Sequence, residues 1–585
     1  MKQNIRLFRT SSSLWSKFLD SNPQFFREIR GRFKTRNVVI AAAISVICQF
    51  LLVIYLLGQL PEYANTGTQC GRYGTELVFS EVDYHKLCFA QNEAGNWLVN
   101  WQLWWLDLFI ILSFISIFTL LLVGAHMLIA DMAQEKERNT LNFIRLTPQS
   151  AGSIPIGKIL GVPILLYTAI AFILPLHLVA GLQSNIPFSL IVSFDLAVVA
   201  SCAFVYCLAL LWSLSELNIA GLKPWLASGV LGIFLLLTSV IILEGHSELD
   251  RFLVWTLMFN PATVLAYLID ACHLKFGTIS YLSTADFDNL SFFGRALWTN
   301  ATVGMGFILC NFCLWTYWCW SILKRRFYNP QSTLLSKSQS YRLTSCFTLI
   351  ALGFTLQRDA PCMYCNLPPS NIAHITDNFT YLQVCLSLFG LGLIFALSPH
   401  RQTLHDWARY RHQTKNSSLL SELILGENSP AIVAIAFNQI ITIALIAPAI
   451  FIVLPASRQY LLFGLILSAT NIILCAVIAQ LILTLKTSKK GIWSILTIGS
   501  LNALPAICLG IAGLTVTTAP QAWLFSFAPL GAARLVPIPT IAFALFGQWL
   551  AISIVSLQIT RKLKQAGASE TKLLMDRTNG LKGKR

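Results

Sequence analysis

The sequence predicts an all-α polytopic membrane protein, with about twelve transmembrane helices in two six-helix halves and both termini cytoplasmic. Three observations carry that reading. The 585 residues have a mean hydropathy of +0.64 and are 55% hydrophobic but only 12% charged, about half the ~25% charge of soluble domains. Apolar runs of about 20 residues, enough to cross ~30 Å of hydrocarbon, recur along the whole chain. Lys and Arg are concentrated in alternate connecting segments.

Taken in order, the start "MKQNIRLFRTSSSLWSKFLD" has no short apolar core followed by a small-residue cleavage site, so no signal peptide is expected. Residues 1–37 read as a cytoplasmic amphipathic segment and 38–328 as the first six-span half. Its spans lie near 38–59, 103–132, 155–182, 187–214, 223–243 and 297–323. The polar stretch "NPQSTLLSKSQS" marks a linker at 329–341. The second half, 342–561, has spans near 342–357, 380–397, 431–454, 458–484, 490–514 and 538–560, and 562–585 is a basic tail. The runs at 342–357 and 380–397 are short for spans. An apolar run at 252–269, interrupted by "NP", reads as an external or re-entrant segment.

With these spans, 34 of the 42 Lys and Arg fall on one side. The positive-inside rule makes that side the cytoplasm. The net charge of +16 is thereby explained by topology and by attraction to anionic lipid, and no nucleic-acid partner is needed. The expectation is a multi-pass protein of the cell (inner) membrane. The layout also repeats: each half has two spans, a charged cytoplasmic segment, three closely spaced spans, an external "FNP" or "FAP" (Phe259–Pro261, Phe527–Pro529), and a last span with a basic exit. Paired six-span halves are a common transporter plan.

The most charged segment is "QEKERNTLNFIRLTPQSAGSIPIGKIL", residues 134–160. Nothing interrupts a helix from Asp131 to Leu146, and Pro148 stops it. Glu135 and Arg138 form an i,i+3 pair. Leu141 and Ile144 share one face, Phe143 and Leu146 the adjoining one. Spacing alone gives a helix leaving the membrane, then a short amphipathic piece along its surface. "GSIPIGK" (Gly152–Lys158) fits GxxxxGK, but Ile159 stands where a phosphate loop needs Ser or Thr, and a membrane span follows instead of a soluble helix. It reads as the approach to span 3.

"EKERNTLNFIRLTPQSAGSIPIGK" resembles the segment between the second and third spans of type-2 ABC transporter permeases, E-[KR]-E-[KR]-G-T-L-E-x-L-x-x-T-P-[LI]-S followed by GK. "NPQFFREIRGRFKTR" (Asn22–Arg36) is similar to that family's membrane-lying helix before span 1. The resemblance implies a coupling helix that docks in a separate ATP-binding subunit, present in two copies. Glu135, Lys136, Glu137, Arg138, Thr140, Leu141, Phe143, Ile144, Arg145, Thr147 and Pro148 would make that contact. ATP and magnesium would then be bound by the partner, no cofactor by this chain, and a second permease chain could complete the pore. Asn139 stands where the family has Gly, and Asn142 where it has an acid. Asn tolerates a left-handed turn; the second change removes one ion pair. The second half's counterpart, His400–Pro430, begins with a basic amphipathic helix and lacks the motif.

Ionisable residues within spans are functional candidates by default. Asp195 and His126 lie deep enough to need a partner; Asp107 and His177 lie nearer the outer ends, within reach of water. "CMYC" (Cys362–Cys365) has no second pair to make a zinc site, so none is expected; in an oxidising exterior a local disulfide is the better reading. Cys70 and Cys88 share the first outer loop and form a second candidate pair. No Ser/His/Asp or paired-carboxylate arrangement can be placed on one surface, so no catalytic residue is nominated. The expected function is the permease subunit of an ABC exporter; a twelve-span secondary transporter and a membrane anchor or scaffold stay open as alternatives.

Overall fold

Helices form nearly all of the regular structure; two short antiparallel hairpins are the only sheets among the described residues. The structure, a computed structural model, describes residues 22–60, 73, 77–80, 83–88, 99–145, 150, 152–215, 221–244, 254–270, 272, 291–298, 300–356, 371–410, 418–453, 458–487, 490–526 and 529–567. It falls into two compact units that divide after Tyr328; the second also takes in residues 291–295. Eleven helices among the described residues are long and apolar enough to cross a membrane. The chain is thus a multi-pass, α-helical membrane protein.

The first unit starts with α1 (Pro23–Arg32), which has proline at its first position and Asn22 as its cap, accepting from the Phe25 amide. Then come α2 (Thr35–Leu57), the hairpin β1 (Leu77–Ser80) and β2 (Asp83–Cys88), and the continuous helix α3 (Trp101–Glu137). A π-turn at Thr119–Val123 widens α3, and Tyr206 Oη donates to the Leu120 carbonyl there at 2.7 Å. Gly124 makes room for that ring; a β-carbon would collide with the Tyr206 hydroxyl. The unit continues with α4 (Thr140–Arg145), α5 (Ser153–Gly161), α6 (Ile164–Gln183), α7 (Phe188–Ser213) and α8 (Leu222–Glu244). It ends with α9 (Val254–Leu257), α10 (Thr263–Asp270) and α11 (Ala301–Tyr328). Helix α7 packs between α3 and α11, burying Phe194, Tyr206 and Phe312. Outward faces stay apolar, as on α2 with Ile47, Phe50 and Leu51 exposed, the pattern a lipid environment requires.

The second unit contains α12 (Lys337–Thr355), α13 (Asn371–Leu397), α14 (Arg401–Tyr410), α15 (Leu419–Leu425), α16 (Ile432–Val453), α17 (Arg458–Leu483) and α18 (Lys490–Ile511), then α19 (Pro520–Trp523), α20 (Leu530–Ala533) and α21 (Ile538–Gly567). Helix α17 is central, packed against α13, α16, α18, α20 and α21. Polar side chains tie the spans together: buried Gln383 donates to the Gly464 carbonyl and accepts from the Leu530 amide, and Thr344 donates to Asn438. Interhelical hydrogen bonds of this kind supply part of the association that hydrophobicity cannot drive within a membrane.

Three expectations change. The helix expected from Asp131 through Leu146 breaks after Arg138, because Asn139 turns left-handed at φ +57°. The third span begins at Ile164 instead of 155; Pro163 has no amide hydrogen, so α5 cannot run into α6. The segment expected as a span at 342–357 lies in α12, whose first turns, "KSQSYR", are too polar for it to count among the eleven. The 252–269 run forms α9 and α10, too short to span. Between α14 and α16, the short helix α15 follows the basic amphipathic helix expected after His400.

Candidate functional site

The 134–160 segment divides into a buried base and an exposed tip. At the base, Lys158 of α5 is 1% exposed. Its Nζ lies 2.8 Å from Glu28 Oε1, 2.6 Å from Asp131 Oδ2 and 2.8 Å from Glu135 Oε1. Arg27 also pairs with Glu135, and Arg32 with Asp131 and Glu28. Three acids and three bases therefore cancel, joining α1, the end of α3 and α5. The three carboxylates are close enough together to hold a metal ion, but the Lys158 ammonium occupies that position. Burial pushes the Glu28 carboxyl up, yet Lys158, Arg32 and Arg27 outweigh it and hold Glu28 below its ordinary value. Burial likewise opposes the charge on Lys158, and Asp131, Glu28 and Glu135 more than compensate, raising it.

Glycine lets α1 come this close. A β-carbon at Gly157 would lie 2.8 Å from the Phe25 nitrogen, and one at Gly161 2.5 Å from Glu28 Cβ. Gly157 and Gly161 stand one turn apart, as in small-xxx-small helix contacts. The Asn22 amide closes the joint by donating to the Ser153 carbonyl at 2.8 Å. The glycine and lysine of "GSIPIGK" thus seat the amphipathic helix, a role larger than the approach to span 3. Sequence reasoning passed over the Gly157-x-x-x-Gly161 spacing that signals it.

The tip consists of Lys136, Glu137, Arg138, Asn139 and Thr140, all exposed. Asn139 takes the left-handed position that commonly closes a helix, and Thr140 Oγ1 donates to the Glu135 carbonyl at 3.1 Å. Of the residues assigned to partner contact, Glu135 is spent on Lys158 and Arg27 instead of on the expected Arg138, and Leu141 is 6% exposed inside this chain. Arg145 stacks over Phe327 of α11, its Cζ 5.7 Å from the ring centroid. The side chains of Phe143 and Ile144, together with Thr147 and Pro148, lie outside what the structure describes. Comparisons with protein families, with curated proteins and with solved structures find no match.

Beside the tip, Arg32, His126, Glu137, Gly221, Pro224 and Trp225 help to line a cleft of about 480 Å³. His126 Nδ1 lies 3.1 Å from Ser228 Oγ, and its ring meets Trp225 edge-on, so this intramembrane candidate has its partner. Asp195 and His177 face each other at 3.8 Å. His177 is 3% and Asp107 5% exposed, so neither reaches water as expected; the packing of α3, α6 and α7 covers them, and Tyr73 Oη donates to Asp107 at 3.1 Å. Residues Cys70, Cys362 and Cys365 fall outside the described residues.

In the second unit, Lys337 is 2% exposed and donates to the Leu423 and Pro430 carbonyls and to Ser429 Oγ at 2.6–3.1 Å. Tyr341 Oη donates to the Ile424 carbonyl at 2.6 Å. These bonds satisfy the carbonyls that the end of α15 leaves open and fasten the 400–430 segment to α12.

Proposed function

We propose that this chain is the transmembrane permease subunit of an ABC exporter, moved by ATP hydrolysis in a separate cytoplasmic ATPase. The observation that carries the proposal is the exposed, charged tip Lys136–Thr140 standing on a buried ionic base, within a segment that resembles the coupling region of type-2 permeases. In this reading Lys136, Glu137 and Arg138 dock in the ATPase, and Asn139 supplies the left-handed turn for which the family uses glycine. Asp131 and Glu135 pass displacement of the tip to Lys158 and Glu28, so α1, α3 and α5 move as one body. Glu135 then transmits the force and is not itself a partner contact. Magnesium and ATP belong to the partner, and two ATPase copies would serve the two halves.

Full-length protein purified from its native membranes should bring down an ATP-binding-cassette ATPase. Reversing the exposed charges, Glu137→Lys with Arg138→Glu, should remove that protein while leaving the permease folded. Retention of the ATPase by the double variant would sink the docking assignment.

A further inference from the structure

Ser113 on α3, His177 on α6 and Asp195 on α7 meet inside the first unit. Ser113 Oγ donates to the Phe109 carbonyl at 2.7 Å and lies 2.9 Å from His177 Nε2. A hydroxyl has one hydrogen. With that hydrogen on the carbonyl, Ser113 can only accept from the ring, so Nε2 carries the imidazole proton and Nδ1 presents a lone pair. Nδ1 is buried, has no hydrogen-bond partner among the described residues, and is aimed at Asp195 Oδ1, 3.8 Å away. The Phe109 ring stacks on the imidazole with centroids 4.3 Å apart, which fixes its orientation. His177 is enclosed, while the Asp195 side chain is 33% exposed.

Two acceptors facing each other in an apolar bundle repel unless a proton lies between them. We infer that His177 and Asp195 form an intramembrane proton-binding site holding one exchangeable proton between Nδ1 and the carboxyl. Uptake forms one bond to hydrogen and takes the pair from a charge of −1 to neutral; release breaks that bond, the proton leaving by the exposed side of Asp195. Asp195 is seven residues into α7, about 10 Å from its start.

The surrounding elements carry their own titratable groups, several of them engaged elsewhere. On α3, Asp107 accepts from Tyr73, His126 meets Ser228, and Asp131 and Glu135 pair with Lys158 of α5. Lys223 of α8 donates to the Ser213 and Ser215 carbonyls. Arg36 heads α2, Lys324–Arg326 lie in the final turns of α11, and Asp270 closes α10. Among the described residues, no other ion pair includes His177 or Asp195. The site stands or falls independently of the ATPase-coupled reading.

Infrared difference spectroscopy of the full-length protein in liposomes, titrated from alkaline to acid pH, tests this. One protonated-carboxyl band should appear that Asp195→Asn abolishes and Asp107→Asn preserves. Ser113→Ala, which frees the imidazole to exchange tautomers, should shift the midpoint of that band. A band indifferent to Asp195→Asn overturns the site, as does a carboxylate ionised throughout with a water bridging the pair. A midpoint unmoved by Ser113→Ala overturns the tautomer argument on which it rests.

Discussion

Replacing Lys158 by Met removes an ammonium while keeping most of the side-chain volume, so it isolates the charge at the base of the tip. Lys158 lies within 2.6–2.8 Å of three carboxylates and is 1% exposed. In the variant, Glu28, Asp131 and Glu135 keep Arg27 and Arg32 as their ion-pair partners among the described residues, leaving one buried negative charge unbalanced. Removing one partner from a buried ionic group costs about 3–5 kcal/mol. The Arg27 and Arg32 side chains are 49% and 30% exposed and can shift inward, which favours the lower end, about 3 kcal/mol. That corresponds to roughly a hundredfold change in the opening equilibrium of α1. The readout is tryptic cleavage at Arg30, exposed on α1, followed by mass spectrometry of the full-length protein in liposomes; cleavage of a transiently open segment follows that equilibrium when reclosing is fast. Lys158→Met should cut about a hundredfold faster, and adding Glu135→Gln, which restores neutrality, should return most of the protection. A cleavage rate unchanged by Lys158→Met, or no recovery in the double variant, refutes the ionic clamp.

The same assay applies to the glycine seat. Gly161→Ala places a β-carbon 2.5 Å from Glu28 Cβ and should loosen α1 by about 1–3 kcal/mol, whereas Gly31→Ala, with none of the described residues within 4 Å of its β-carbon, should not. Acid should undo the clamp as well. Glu28 is held below its ordinary 4.5, so its share of stability is present above that pH and is lost as pH falls through the depressed value. Lys158 is raised above 10.5, so its share is intact below that pH and is lost only as pH rises beyond the raised value. Hydrogen exchange of α1, corrected for intrinsic rates, should therefore be flat through neutrality and climb below pH 4.5; a rise near pH 6–7 would contradict this assignment. In the second unit, Lys337→Met leaves the Leu423 and Pro430 carbonyls without their donor. It should speed exchange in α15 by the equivalent of about 1–3 kcal/mol and leave α1 untouched.

Hydropathy made the membrane class and most span positions legible, because a run of apolar residues is a local property. The left-handed turn at Asn139 was legible only in part: asparagine tolerates that conformation, but no local signal marked the break in a helix expected to run on to Leu146. The base of the tip was not legible. Glu28, Asp131 and Lys158 are separated by up to 130 positions, and spacing within one helix offered only the local pair Glu135–Arg138, which the fold sets aside for Lys158. The His177–Asp195 contact likewise needs α6 and α7 side by side. His177 sits six residues before the end of α6, so counting along the helix left it near water, although packing by Phe109 and Phe194 covers it.

The central claim is that the 136–140 tip receives the motion of an ATPase. A photo-crosslinking amino acid at position 138, activated in native membranes, tests it most directly. The account predicts a single dominant protein adduct, an ATP-binding-cassette ATPase, missing when the crosslinker is placed at exposed Phe50 in the middle of α2 instead. Adducts confined to lipid, or identical at both positions, would contradict it.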